Sequence, residues 1–400
     1  MKGKNLDTAW VSALSIATLL VAGYLYFHYF TPEWKGHQAE FRNMVEQRFG
    51  PARAAQVPSG IQQVWIPQLN RTDRCVTCHL GVEWKGLERA PEPYRSHPKG
   101  ILEKHPVARY GCTTCHGGQG YAVTAEAAHA TEIQHWESPV LGKQMARMYS
   151  VSNRLALLET HCNACHRYER ETKGLEYINH ARQLVRDKGC RACHAINGRG
   201  GVIGPNLTRI GEQSAEQYEY SRLSGRQSVF AWHLAHFKNP KQMAAESVMP
   251  NFNFGSKDSQ ALTLLVMSWK PNDYPPEYLP GLKFGDFPTQ EEIEKEQRML
   301  SGEGAFFVKK GCFICHEVSS LGIESAAKIG PDLALAVTDV QSRFGVTVDD
   351  FIKRPTGTMA VVLATQIQLT DAEKAEVIQK LQLAYQRKRE QAATAAPSAK

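Results

Sequence analysis

A mainly α-helical chain with much irregular structure is what the sequence predicts, and three observations predict it. The first is an uncharged apolar run near the start, WVSALSIATLLVAGYLYFHYF, at residues 10–30. The second is a plan that occurs twice in the C-terminal half: a helical run, a C-x-x-C-H stretch, a G-P-x-L stretch, then further helical runs. The third is the texture of residues 70–173, which are rich in Gly, Pro and His and poor in long periodic segments. Four hundred residues suggest two to four domains, and a hydrophobic fraction of 42% is ordinary for a globular chain.

The apolar run is long enough to span a membrane once. At about 1.5 Å per helical residue it matches a hydrocarbon core of about 30 Å. Tyr24, Tyr26, Phe27, Tyr29 and Phe30 crowd one end and Trp10 marks the other, as interfacial aromatic belts do. Lys2 and Lys4 hold residues 1–9 on the cytoplasmic side, so residue 31 onward lies outside. A cleaved signal peptide is the competing reading. Leu20-Val21-Ala22 is a poor cleavage site and the apolar run continues past it, which favours an uncleaved anchor. Residues 31–69 connect the anchor to the rest. Within them 38–49 carry Phe41, Met44, Val45 and Phe49 at helical spacing, ended by Gly50-Pro51. This amphipathic helix suits a membrane surface, a partner or the following module equally. Residues 61–70 read as extended.

Five copies of one motif organise the rest of the chain: Cys75–His79, Cys112–His116, Cys162–His166, Cys190–His194 and Cys312–His316. Each reads C-x-x-C-H, the signature of covalent haem c attachment. Cys75, Cys78, Cys112, Cys115, Cys162, Cys165, Cys190, Cys193, Cys312 and Cys315 are all the cysteines there are. Two thiols become thioethers to the haem vinyl groups, and the adjacent imidazole (His79, His116, His166, His194 or His316) becomes the proximal iron ligand. Zinc sites or thiol redox pairs are the bland alternatives. Zinc needs pairs of pairs, five is odd, and neither reading explains a histidine after every second cysteine. Five haems bring ten propionates, which take the formal charge from +7 to about −3, so the basic composition implies no nucleic-acid partner.

The first three motifs define a trihaem module at 70–173, with haem stacking rather than helix packing as its core. Gly117-Gly118-Gln119-Gly120 follows the second motif and lets backbone pass close to a haem face. A phosphate-binding reading of it is weak without a strand–loop–helix context. Residues 174–272 form a further domain: a helix at 175–188, the fourth motif, Gly204-Pro205-Asn206-Leu207, a helix near 228–238, Met249-Pro250 and a helix near 257–269. A Pro/Gly-rich linker, 273–290, leads to a second copy at 291–388. There a helical stretch at 291–310 precedes the fifth motif. Gly330-Pro331-Asp332-Leu333, a short helix at 347–353 and Met359 come after it. Thr370 and Glu373 form a capping box at the start of the last helix. Residues 389–400 read as a disordered tail.

The two C-terminal copies resemble class I cytochrome c domains, and the whole resembles a membrane-anchored multihaem c-type cytochrome. The resemblance implies that Met249 and Met359 are the sixth ligands of the fourth and fifth irons. Met267 fits the core better, and His233 and His236 are packing residues and reserve ligands. By analogy with bis-histidine multihaem proteins, His97, His105 and His129 are the distal ligands of the first three irons. His135 is the first substitute, and His161, His180, Met145 and Met148 are further possibilities. His28, inside the apolar run, is an interfacial residue, with contact to a quinol or a membrane-proximal haem as the alternative.

The trihaem module resembles multihaem subunits of quinol-oxidising complexes and the tetrahaem quinol dehydrogenases. That implies an inner-membrane, single-pass protein with its bulk in the periplasm. It would receive electrons from quinol-oxidising membrane subunits and pass them to a soluble cytochrome or terminal reductase. Pentahaem nitrite reductases carry a C-x-x-C-K motif that is absent here. With enough His and Met to close every iron, the chain reads as a non-catalytic electron-transfer subunit. A multihaem reductase or peroxidase with one open haem, and an extracellular haem polymer, are the alternatives.

Overall fold

The computed structural model describes residues 3–98, 100–130, 138–141, 154–270, 273–283, 288–325 and 327–395. The chain divides into two compact units, Met1–Arg154 and Leu155–Lys400. His135, Met145 and Met148 lie outside the described residues.

The first unit begins with helix α1, Gly3–Phe30. Thr8–Phe27 is its long apolar stretch, exposed along its whole length, and it satisfies the length and composition of either a membrane span or a signal sequence. Helix α2, Glu33–Phe49, comes next and stops at Gly50, whose φ of 87° suits only glycine. Its apolar face is committed to its own unit. Phe41 and Val45 are fully buried among Ala54, Leu80, Leu87 and Tyr94. The Phe41 ring meets Trp84 edge-on at 5.4 Å. Gln38 reaches the first motif, its Nε2 donating to the Thr77 carbonyl at 3.2 Å. Phe41→Ala should therefore cost about 3–5 kcal/mol, seen as an earlier denaturation midpoint with haem content unchanged.

Residues 61–70 are extended only in part. Strand β1, Val64–Ile66, pairs antiparallel with β2, Arg71–Asp73, through a tight turn at Pro67–Leu69. Asn70 closes that turn in the left-handed region (φ 48°), a conformation asparagine tolerates. The hairpin delivers Asp73, fully buried, to the second motif. Its carboxylate accepts from the Cys112 and Thr113 backbone N–H groups (2.6 and 3.0 Å) and from the Thr113 hydroxyl (2.7 Å).

The second unit starts earlier than the predicted boundary at residue 174. Helix α3, Arg154–His166, carries the third motif at its end, and this motif folds with the domain that comes after it. The reason is a set of buried polar contacts. Asn163 donates to Ser268 (2.6 Å) and accepts from Arg182 (2.7 Å). Arg167 donates to Asn197, Thr208 and Lys270. Glu159 accepts from the Ile178 N–H at 2.9 Å, at the start of α4, Glu176–Asp187. Helix α5, Val229–Lys238, and α6, Ser256–Ser268, complete this domain. Leu262, Leu264, Leu265 and Val266 of α6 are all buried, so it is the central core helix.

The last domain is built on a core of Phe306, Phe307, Val318, Ile323, Phe351 and Leu381. The predicted helix at 291–310 is two helices, α7 (Gln290–Leu300) and α8 (Ala305–Lys309). Between them Gly304 lies so close to the Ile323 side chain that a Cβ there would overlap it. Helices α9 (Ala336–Phe344), α10 (Val348–Lys353) and α11 (Gly357–Thr365) lead to α12, Asp371–Ala395. The Thr370/Glu373 capping box is formed, with reciprocal bonds of 2.9 and 3.3 Å. Residues 389–395, expected in a disordered tail, continue α12. Lys388 and Gln391 hold these last turns by bonding Ser319 and Ser320.

Candidate haem sites

Each C-x-x-C-H stretch for which the backbone bond is described closes a single turn. The N–H of His79, His116, His194 and His316 donates to the carbonyl of the motif's first cysteine, at 2.9–3.0 Å. That bond holds two sulfurs and one imidazole within a single turn of chain, the closeness that attachment to one flat macrocycle needs. No disulfide joins any of the ten cysteines, and all are half-buried. Burial pushes the Cys190 thiol up to about 12 and the Cys312 thiol up to about 11. Burial and then the neighbouring Cys193 push Cys315 up to about 11. A thioether carries no charge and suits such surroundings, whereas a thiolate metal ligand does not.

In the first unit the first two motifs are neighbours. The Cys75 and Cys112 thiols hydrogen-bond, which lowers the pKa of Cys75 and raises that of Cys112. Two of the predicted distal histidines stand opposite proximal ones. The His79 and His129 ring centroids are 6.2 Å apart with their planes at 79°. The His116 and His97 centroids are also 6.2 Å apart, at 75°. An iron between two imidazoles needs metal–nitrogen bonds of about 2.0 Å on each side, which puts ring centres about 6 Å apart. Both gaps fit one iron. Burial lowers the pKa of His79 and of His116, and the facing His129 and His97 lower them further. Neutral imidazoles are what an iron ligand requires. His97 Nδ1 is 3.3 Å from the Pro98 carbonyl. His105 stands edge-on to Tyr110 at 5.1 Å, with Nδ1 3.2 Å from the Ile101 carbonyl.

In the second unit the G-P-x-L stretches have a clear task. His194 Nδ1 donates to the Pro205 carbonyl and His316 Nδ1 to the Pro331 carbonyl, each at 2.8 Å. A carbonyl only accepts, so the proton sits on Nδ1 and Nε2 is the metal-facing lone pair. Gly204 and Gly330 lie against these two rings, where any Cβ would overlap the imidazole. Burial lowers the pKa of both histidines, against the opposing pull of the proline carbonyls. One cavity of about 1060 Å³ is lined by both motifs, by Met249 and by Met359. His236 also lines it. Its ring stacks on Trp232 at 4.9 Å, and its Nδ1 is buried with no hydrogen-bond partner in the polypeptide. An orphaned polar atom in an apolar cavity between attachment motifs fits a haem, whose propionates supply acceptors for it.

Residues 178–270 match the family model for cytochrome c. The match supports a c-type cytochrome with a haem-based electron-transfer role. No curated protein and no solved structure matches the chain. Within the cytochrome c domain His233 has a packing role: it is buried, and its Nε2 is 2.9 Å from the Tyr218 hydroxyl. His180 Nε2 pairs with Asp258 at 2.7 Å.

The third motif is held differently. His166 Nδ1 faces Glu169 Oε2 at 2.8 Å, and the His166 carbonyl accepts from Arg182 at 2.5 Å. Sequence reasoning passed over Glu169, although a carboxylate three residues beyond a proximal histidine is a readable signal. Nothing local in the sequence marks Asp73 or Arg167, whose partners are remote along the chain.

Proposed function

We propose that the chain binds five haems c and conducts electrons through them, from a quinol-oxidising membrane partner to a soluble cytochrome or terminal reductase. The observation that carries this reading is the two pairs of facing imidazoles, His79/His129 and His116/His97, in a chain that also matches the cytochrome c family model over residues 178–270. When bound, each haem supplies a one-electron Fe(III)/Fe(II) couple. Irons closed on both faces pass electrons and bind no small substrate. On this reading His129 closes the first site, His97 the second, Met249 the fourth and Met359 the fifth. His105 keeps its proposed ligand role without assignment to a particular iron.

Bis-histidine sites lie lower in potential than His/Met sites, so electrons run from the Cys75 end toward the Cys312 end. The apolar helix α1 supports an anchor that holds the low-potential end at the cytoplasmic membrane, with the bulk of the chain periplasmic. The mass of the mature protein tests the count: five covalent haem additions are expected, and the bare polypeptide mass rejects the proposal. EPR of the same sample should show low-spin ferric haems. A stoichiometric high-spin signal would favour a reductase or peroxidase with an open site.

A further inference from the structure

We propose that Glu169 is a positioning residue that lowers the reduction potential of the haem at Cys162–His166 by holding the proximal imidazole's Nδ1 proton. The inference rests on reading Cys162–His166 as a haem attachment site. Its ground is a contrast among the proximal histidines. His194 and His316 give their Nδ1 proton to a proline carbonyl, and His79 has the Glu92 carboxylate and the Pro93 carbonyl near it. Of these four, His166 is the one with a direct Nδ1 hydrogen bond to a carboxylate, at 2.8 Å.

That carboxylate is aimed, not incidental. Glu169 Oε2 also accepts from the Thr172 hydroxyl at 2.7 Å. Thr172 Oγ1 in turn accepts from Arg182 Nη1 at 3.0 Å. The other end of the same guanidinium donates to the His166 carbonyl and to the buried Asn163. The Glu169 N–H closes a turn on the His166 carbonyl at 3.1 Å. A relay of three side chains, Thr172, Arg182 and Asn163, thus holds the Glu169 carboxylate against Nδ1. An imidazole bonded to a carboxylate is a more basic, imidazolate-like ligand than one bonded to a neutral carbonyl. A stronger donor stabilises Fe(III) over Fe(II) and lowers the potential. On reduction one electron enters the iron, and the proton stays on Nδ1.

The test is a redox titration of the full-length holoprotein, tracked by optical and EPR spectra, with Glu169→Gln and Glu169→Asp. E169Q should move one of the five potentials upward and leave the other four in place. E169D, which keeps the charge, should bring that potential back toward the original value. Resonance Raman should show a weaker iron–histidine bond in E169Q alone. If E169Q does not accumulate, Thr172→Val, which removes the hydroxyl that aims the carboxylate, should shift the same potential upward by less. Peptide mass analysis of the 162–166 segment separates the two possible failures. Haem on that peptide with unmoved or lowered potentials overturns the role of Glu169. A haem-free peptide overturns the attachment reading beneath it.

Discussion

Met359→Ala is expected to leave the fifth haem high-spin when oxidised and open to carbon monoxide when reduced. No histidine follows His316 in the sequence, so the last domain has no imidazole of its own to substitute. Met359 sits on α11, packed against the cluster around Phe307 and Leu381, and lines the same cavity as His316. Removing its thioether should convert about one fifth of the haem from low to high spin, as one iron of five loses a ligand. Met359→His should restore the low-spin state at a lower potential, because imidazole is a stronger donor than thioether. EPR and carbon monoxide difference spectra read both outcomes. A low-spin, carbon-monoxide-inert M359A would remove Met359 from the iron.

His129→Ala and His97→Ala should each open one haem in the first unit, and His129→Met should raise the potential of the haem attached at Cys75 and Cys78. Each ring centre lies 6.2 Å from a proximal ring, the gap one iron fills. Each alanine variant should again yield about one fifth of the haem as high-spin, and the double variant about two fifths. Low-spin spectra for all five haems in H129A would break the His79/His129 pairing. The same result in H97A would break the other.

Local rules made much of this legible from the residues alone. The four closed C-x-x-C-H turns, the Thr370/Glu373 cap and the α5 and α6 helices depend on spacing and side-chain chemistry within a few residues. The G-P-x-L stretches were readable as a family signal, and the proline carbonyl on each proximal histidine is the physical reason for them. What stayed hidden depends on remote contacts. Nothing near Cys162 says that Asn163 and Arg167 will bury themselves against Ser268 and Lys270 and pack the third motif with the residues that come after it. The break between α7 and α8 holds Gly304, which packs on Ile323 some twenty residues downstream. Which histidine faces which is likewise a matter of chain path. His97 precedes the motif it faces, and His129 comes after the second motif to reach the first.

The cavity common to the fourth and fifth motifs has a consequence for anyone wishing to subdivide the protein. Its walls include Val266 and Trp269 from one domain and Val340, Phe351 and Leu381 from the other. Gln366 of the second domain also donates to the Ala192 carbonyl of the first at 2.9 Å. Excising either repeat would strip the remaining one of part of its greasy lining and leave an apolar face bare to water. A truncated fragment should therefore clump or dimerise, and the tandem repeat behaves as a fused couple rather than as two interchangeable beads.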